Sequence, residues 1–129
     1  MQQQDTPLDS PLFEALAELS FESVMVTRAG GPGGDPEVVY VNARFTELTG
    51  YRADEVIGGT PGLLQGPDTD TSVTKRLADD ISNGRTFHGQ TVNYRKDGTP
   101  FEIEWKVTPV SADGQTTYHV AVQRDVTER

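Results

Sequence analysis

A chain of 129 residues is the size of one ordinary domain, and 34% hydrophobic residues, with one Trp, four Tyr and five Phe, supply a core for it. The formal net charge of -9 repels phosphate backbones and anionic headgroups, so neither nucleic acid nor a membrane is an expected partner. Cysteine is absent, which excludes a disulfide, a thiolate metal site, a cysteine nucleophile and any thiol adduct; with no long apolar run and no basic-then-apolar leader, a cytoplasmic location is expected.

Residues 1–20 read as a polar tail and an amphipathic cap helix, and residues 21–129 as the domain proper. Ser10-Pro11 offers an N-cap and a first-turn proline. Beyond it Leu12, Phe13, Leu16, Ala17, Leu19 and Ser20 form an apolar stripe opposite Glu14 and Glu18, the pattern of a helix resting on a surface. SVMVT at 23–27 and EVVYVN at 37–42 are β-branched runs that predict two strands. The GGPGG between them lacks the Lys-Ser/Thr of a phosphate cradle and opens no helix, so it reads as a loop. Asn42 caps a predicted helix that ends at Gly50, and Ala53 to Ile57 supports a further turn before Gly58-Gly59. Asp68, Thr69 and Asp70 offer caps for a helix from Thr71 to Ser82 with Val73, Leu77 and Ile81 on one face, closed by Asn83-Gly84. Asp79-Asp80 splays around this helix and reads as a solvated face.

Three strand-like segments follow at 85–96, 100–110 and 116–126, joined by Asp97-Gly98 and by Ala112-Asp113-Gly114. Strands, helices, then a strand meander predict an α+β fold in which one sheet carries helices on one face. In the middle strand Phe101, Ile103, Trp105 and Val107 alternate with Glu102, Glu104, Lys106 and Thr108, so the first set faces a core or pocket. In the last strand Thr117, His119, Ala121 and Gln123 alternate with Tyr118, Val120, Val122 and Arg124, and here the outer set is the more apolar. With Val92 and Tyr94 that outer set makes a patch needing cover by the first helix, a second subunit or later helices. His88 is expected outside and His119 inside. No convergent carboxylate accompanies either, so no metal site, catalytic dyad or enzyme activity is expected.

The strings VVYVNARFTELTGY, DEVIGGTPGLLQGPDTD, NYRKDGTPF, VTPV and VQRDVTER together resemble the light-oxygen-voltage (LOV) type of the PAS superfamily, from about Phe21 to Arg129. The resemblance implies a PAS fold, a five-stranded antiparallel sheet with helices on one face plus an N-terminal flanking helix, and a non-enzymatic sensor or interaction module in signal transduction. In flavin-binding members the segment matching Gly58 to Gly66 carries Asn-Cys-Arg, whose Cys forms the blue-light adduct; this chain has Thr60-Pro61-Gly62. Pro61 offers neither a nucleophile nor a backbone N–H, so adduct photochemistry is not expected.

The family's phosphate-binding arginines would fall at Gly62 and Ala78. At about 1.5–3 kcal/mol per charge-assisted contact, two losses weaken nucleotide binding by about a hundredfold or more. Gln65, Asn93 and Gln123 match amides that hold the flavin in relatives and are the candidate cofactor-binding residues; they read equally as satisfied buried amides or turn caps. The positions at Thr60 and Ile103 are changed, and Ile103 extends the apolar row, which suggests a cavity filled by side chains. The expected cofactor is none, with weak or no flavin binding; the alternative is a cysteine-less blue-light or redox sensor holding FMN or riboflavin, favoured by Gln123, and another small apolar ligand is a third reading. Expected partners are a second copy, through the N-terminal helix and outer sheet face, and a covalently linked or separate signalling effector beyond DVTER.

Overall fold

A computed structural model describes residues 11–111, 114 and 117–127; the Ser10 cap, the Ala112-Asp113 part of the last turn and the final two residues of DVTER lie outside them. Helix α1 (Pro11–Leu19) precedes β1 (Ser23–Arg28) and β2 (Glu37–Val41), then α2 (Ala43–Thr49), α3 (Ala53–Val56) and α4 (Thr71–Ser82), and last β3 (Phe87–Tyr94), β4 (Pro100–Ser111) and β5 (Thr117–Asp125). The strands form one five-stranded sheet in the order β2-β1-β5-β4-β3, antiparallel at every junction. Among the described residues no helix is long and apolar enough to cross a membrane.

Asn42 begins α2 as predicted and does more than cap it. Its Oδ1 accepts from the Phe45 N–H at 3.1 Å and from the Val24 N–H at 2.9 Å, while its Nδ2 donates to the Ala17 carbonyl at 2.7 Å and to that of Glu22 at 3.1 Å. One buried amide thus joins α1, β1 and α2. Gly50 ends α2 at φ 82, a left-handed position that a side chain rarely adopts. Asp70 caps α4 by accepting from Ser72 N. The strand expected from 85 starts at Phe87, because the Arg85 N–H folds back onto the Asp80 carbonyl and the Arg85 guanidinium pairs with the Asp80 carboxylate at 3.1 Å. Asp80 is therefore engaged with the helix end, not left as a free solvated face.

The sheet has two covered faces. On the inner face Met25, Val38, Ile103, Trp105, Val107 and Ala121 pack with Phe45, Val56 and Leu64 and with Val73, Leu77 and Ile81 of α4. On the other face Phe13 and Ala17 of α1 pack against Val24, Val26, Tyr40 and Tyr118.

The apolar stripe expected of α1 does not rest on the sheet as one surface. Ala17 is buried and Phe13 meets the Tyr40 ring edge-on at 5.6 Å, but Leu12, Leu16 and Leu19 point outward at 68%, 61% and 76% exposure. Glu18 stays exposed, as expected, but it is not free: its carboxylate accepts from the Tyr40 hydroxyl at 2.6 Å and from the Ala43 N–H at 3.2 Å. Polar bonds to Tyr40, Asn42 and Ala43 fix the rotation of the helix against the pull of its leucines. Burial and then the Glu18 carboxylate push the Tyr40 hydroxyl far above its ordinary pKa.

The expected outer patch is largely covered within the chain. Tyr118 is buried beneath α1 and Val120 packs at its margin, leaving Val122 exposed. Tyr94 wraps the edge of the sheet, where its hydroxyl accepts from the Asp68 N–H at 2.9 Å, and a Cβ at Gly66 would come within 2.4 Å of its ring.

Candidate functional site on the inner sheet face

Strand alternation sets the floor of the site. The β4 side chains Phe101, Ile103, Trp105 and Val107 are all buried, flanked by Phe87, Thr91 and Asn93 of β3 and by His119, Ala121 and Gln123 of β5. From β1, Ser23 and Thr27 are the direct partners of Gln123 and His119, giving two polar rungs on either side of the Met25–Ala121 pair. The alternation of Ser23, Met25 and Thr27 with Val24 and Val26 carried this signal, and sequence reasoning passed over it.

Asn93 and Gln123 both lie on the inner face, two strands apart, Asn93 opposite Phe101 and Gln123 opposite Trp105. Gln65 does not join them: it is exposed at the end of a short turn, Pro61–Leu64, that sequence reading did not anticipate. Gln123 already has a protein partner, since the Ser23 hydroxyl donates to its Oε1 at 2.8 Å in a buried contact.

The Gly58–Gly62 segment lies along the edge of β2, where the Val38 N–H donates to the Gly59 carbonyl and the Gly58 N–H donates to the Val38 carbonyl, both at 2.8 Å. Thr60 is turned to its own turn, accepting from the Gly62 N–H. Gly62 and Ala78, at the phosphate-side positions, are exposed and carry no charge. Arg76, two residues before Ala78 on α4, is committed elsewhere: it donates to the His88 carbonyl at 3.0 Å and lies 4.8 Å from the Phe87 ring centre.

His119 is inside as predicted, only 4% exposed, and its Nε2 has no hydrogen-bond partner. Burial pushes its pKa below the ordinary value, which favours the neutral imidazole. His88 is outside as predicted but has the carboxylate that sequence reading did not find. Its Nε2 lies 2.7 Å from Glu104 Oε2 on the neighbouring strand, and Arg124 joins Glu104 at 3.0 Å and Glu22 at 3.6 Å. His88 and then Arg124 hold the Glu104 carboxyl below its usual pKa. The row is a ladder of hydrogen bonds and ion pairs across the outer face, and no group of three or more potential metal ligands occurs among the described residues.

A second arrangement stands where β5 ends. Arg95 donates to the Leu48 carbonyl at 3.1 Å, pairs with Asp125 at 2.7 Å and lies 4.6 Å from the Phe101 ring centre. Asp125 in turn accepts from the Thr127 N–H at 2.8 Å and from its hydroxyl, which itself accepts from the Glu102 N–H at 2.9 Å. Burial works to raise the Asp125 pKa, but the Thr127 bonds and Arg95 hold it below the usual carboxylate value. The clamp ties the DVT segment to α2 and to the start of β4, the strand that lays Phe101 and Ile103 in the core.

A family model described as PAS domain matches residues 22–128. The chain is 36% identical over 118 residues to Phototropin-2 of Oryza sativa subsp. japonica, covering 91% of this chain and 13% of that protein. It is 34% identical over 118 residues to a blue-light photoreceptor of Listeria monocytogenes, covering 91% of this chain and 47% of that one, so it spans less than half the length of either relative. Among solved structures, the LOV domain of the Erythrobacter litoralis EL346 blue-light activated histidine kinase superposes with a TM-score of 0.78 at 30% identity, covering 84% of this chain and 99% of that one. An RNA-binding light-oxygen-voltage receptor superposes with a TM-score of 0.82 at 31% identity over 92% of this chain and 33% of that one.

Proposed function

We propose that this chain, which belongs to the PAS domain family and follows its LOV framework without a cysteine, is a cytoplasmic signal-transduction module that works without flavin-adduct photochemistry. It reports a change of core packing or of its flanking segments to a linked or separate effector through the Arg95–Asp125–Thr127 clamp. The observation that carries the reading is the state of the inner face: Gln123 is partnered by Ser23, and Ile103 stands in a continuous packed row. An isoalloxazine edge needs free amides there, and its phosphate tail needs a cation near Gly62 or Ala78, so the residues present fit a flavin nucleotide poorly. With no nucleophile at Pro61, no thiol adduct forms in this chain.

The test is an absorption spectrum of the purified protein before and after excess riboflavin or FMN, followed by gel filtration. Protein that elutes colourless supports the reading. Structured flavin bands that co-elute overturn it in favour of a cysteine-less flavin sensor.

One observation favours a second reading. An unpartnered nitrogen in a buried position costs about 1–3 kcal/mol, and His119 Nε2 is such an atom on the face where relatives hold ligands. A neutral, mostly apolar molecule with one polar atom set against His119 would relieve that cost. A rise in melting temperature with uncharged aromatic heterocycles, abolished by His119→Phe, distinguishes this reading from the first.

A further inference from the structure

We propose that His119 is a proton-binding site through which acidification opens one corner of the sheet and loosens α1 on the opposite face. It rests on the reading above of an inner face without flavin, and it names the signal such a module receives. His119 is 4% exposed and its Nε2 has no hydrogen-bond partner, so the folded chain holds even the neutral ring at a cost that contact with water removes. The charged ring is held at a greater cost. Its register partners are Thr27 on β1 and Pro109 on β4, and neither carries a charge. Arg28 and Lys106, the charged residues nearest to them on those strands, lie on the outer face, Arg28 paired with Glu37. Burial is the one influence on the titration of His119, so no carboxylate of the strands or the covering helices stands ready to receive an imidazolium.

The sheet around His119 can open locally. Three strands end close to this rung: β1 at Arg28, β4 at Ser111 and β5 at Thr117. Strand β3 begins at Phe87, opposite Val107, so Pro109 to Ser111 have no strand on their other side, and Pro109 has no N–H to offer one. Beyond β1, the pairing with β2 slips between Val26 and Thr27 and leaves Val39 unmatched. Parting the His119–Pro109, Tyr118–Val110 and Thr117–Ser111 rungs brings His119 to water while β5 stays paired to β4 from Val120 to Asp125. Tyr118 carries the change across the sheet. It is the next residue on the strand, points to the other face and is buried with Phe13 and Ala17 of α1 against Val24 and Val26. An opening that frees His119 therefore withdraws Tyr118 from beneath α1, which is left with its bonds to Tyr40, Asn42 and Ala43.

The experiment is native-state hydrogen exchange on the intact chain from about pH 7.5 to about pH 4.5, across the ordinary histidine value. His119→Phe and His119→Asn are run beside it at each pH, so that the intrinsic pH dependence of exchange cancels. Opening takes up one proton, because the exposed imidazole is protonated at pH values where the buried one is not. The ratio of parent to variant opening at residues 117–119 should be flat above about 6.5 and rise about tenfold per pH unit below it, until the buried ring itself titrates. Residues 15–19 of α1 should follow with a smaller rise, and residues 90–93 of β3 should not change. Comparing 117–119 with 90–93 inside the parent gives the same reading without a variant. A ratio flat with pH, a rise that persists in both variants and so belongs to carboxylates such as Glu18, or an equal rise at 90–93, which is global unfolding, overturns the proposal. Flavin that co-elutes with the protein overturns the underlying reading of the inner face instead, and colour reports it separately.

Discussion

Replacing Asn42 with alanine tests how far a single buried amide holds the N-terminal helix to the domain. The side chain makes four hydrogen bonds, to Val24 N, Phe45 N and the carbonyls of Ala17 and Glu22, and it is almost wholly buried. Loss of the N-cap costs about 1 kcal/mol, and each of the other three bonds about 0.5–1.5 kcal/mol, with groups left unpartnered at the upper end. The sum is about 3–5 kcal/mol, a large share of the roughly 5–15 kcal/mol that stabilises a typical domain. Asn42→Asp separates the contributions: it keeps both acceptor bonds and the cap but sets a carboxylate against the Ala17 and Glu22 carbonyls, so it should lose about 2–3 kcal/mol, mainly at α1. Urea unfolding followed through Trp105, the sole tryptophan, which is buried beside Phe87, reads the global loss. Hydrogen exchange at residues 13–19 reads the undocking of α1. An Asn42→Ala chain within about 1 kcal/mol of the parent, or an Asp variant worse than the Ala variant, would refute the hub.

Ile103→Asn places an amide in the packed row and should cost roughly 2–4 kcal/mol; excess riboflavin is expected not to restore the lost urea midpoint, and full recovery would mean that Ile103 stands in a ligand's place. Burial keeps the native His119 imidazole neutral, so the unfolded chain takes up the proton first as pH falls. Stability should therefore be flat above the ordinary histidine value near 6.5, drop as pH falls toward the depressed native value, and lose that acid-side drop in His119→Phe. The Asp125 carboxyl is depressed in the fold, so its stabilisation is present above the ordinary carboxylate value and lost as pH falls through the native one. Because the Arg95–Asp125 pair is partly exposed, Asp125→Asn should cost only about 0.5–1 kcal/mol after solvent screening, while speeding amide exchange at Val126 and Thr127; unchanged exchange there would show that the clamp does not hold the DVT segment.

The regular elements were legible wherever a local pattern and a local partner coincide. Helix α4 runs from Thr71 to Ser82 as its Asp70 cap and Asn83-Gly84 close require, and the alternation of β4 assigned Phe101, Ile103, Trp105 and Val107 to the core before any strand partner was known. Reading failed where a polar group found a partner far along the chain. Composition alone turns the leucines of α1 inward, but the bonds from Glu18 to Tyr40 and Ala43, and from Asn42 to the Ala17 carbonyl, turn them outward. His88 and Glu104 sit diagonally on adjacent strands, a relation that appears only once the register is fixed at His88 opposite Lys106. In the candidate site, alternation placed Asn93, His119 and Gln123 on one face, but Ser23 as the partner of Gln123 needs the β1–β5 register, and the exposure of Gln65 follows from the Pro61–Leu64 turn.

The position of β5 between β1 and β4 bears on how the molecule is made. During synthesis the β1–β2 and β3–β4 pairs can each zip as local hairpins, yet no hydrogen-bonded strand pair joins these halves until β5, the last to emerge, slides between them. Two half-sheets with open edges must wait on the ribosome for a single closing strand, and delay at that step leaves β1 and β4 free to pair with a neighbouring nascent chain. The strand that completes the sheet is also the one that carries His119 and Gln123, so the inner face acquires these two polar groups, and Ser23 its partner, only at the moment the domain closes.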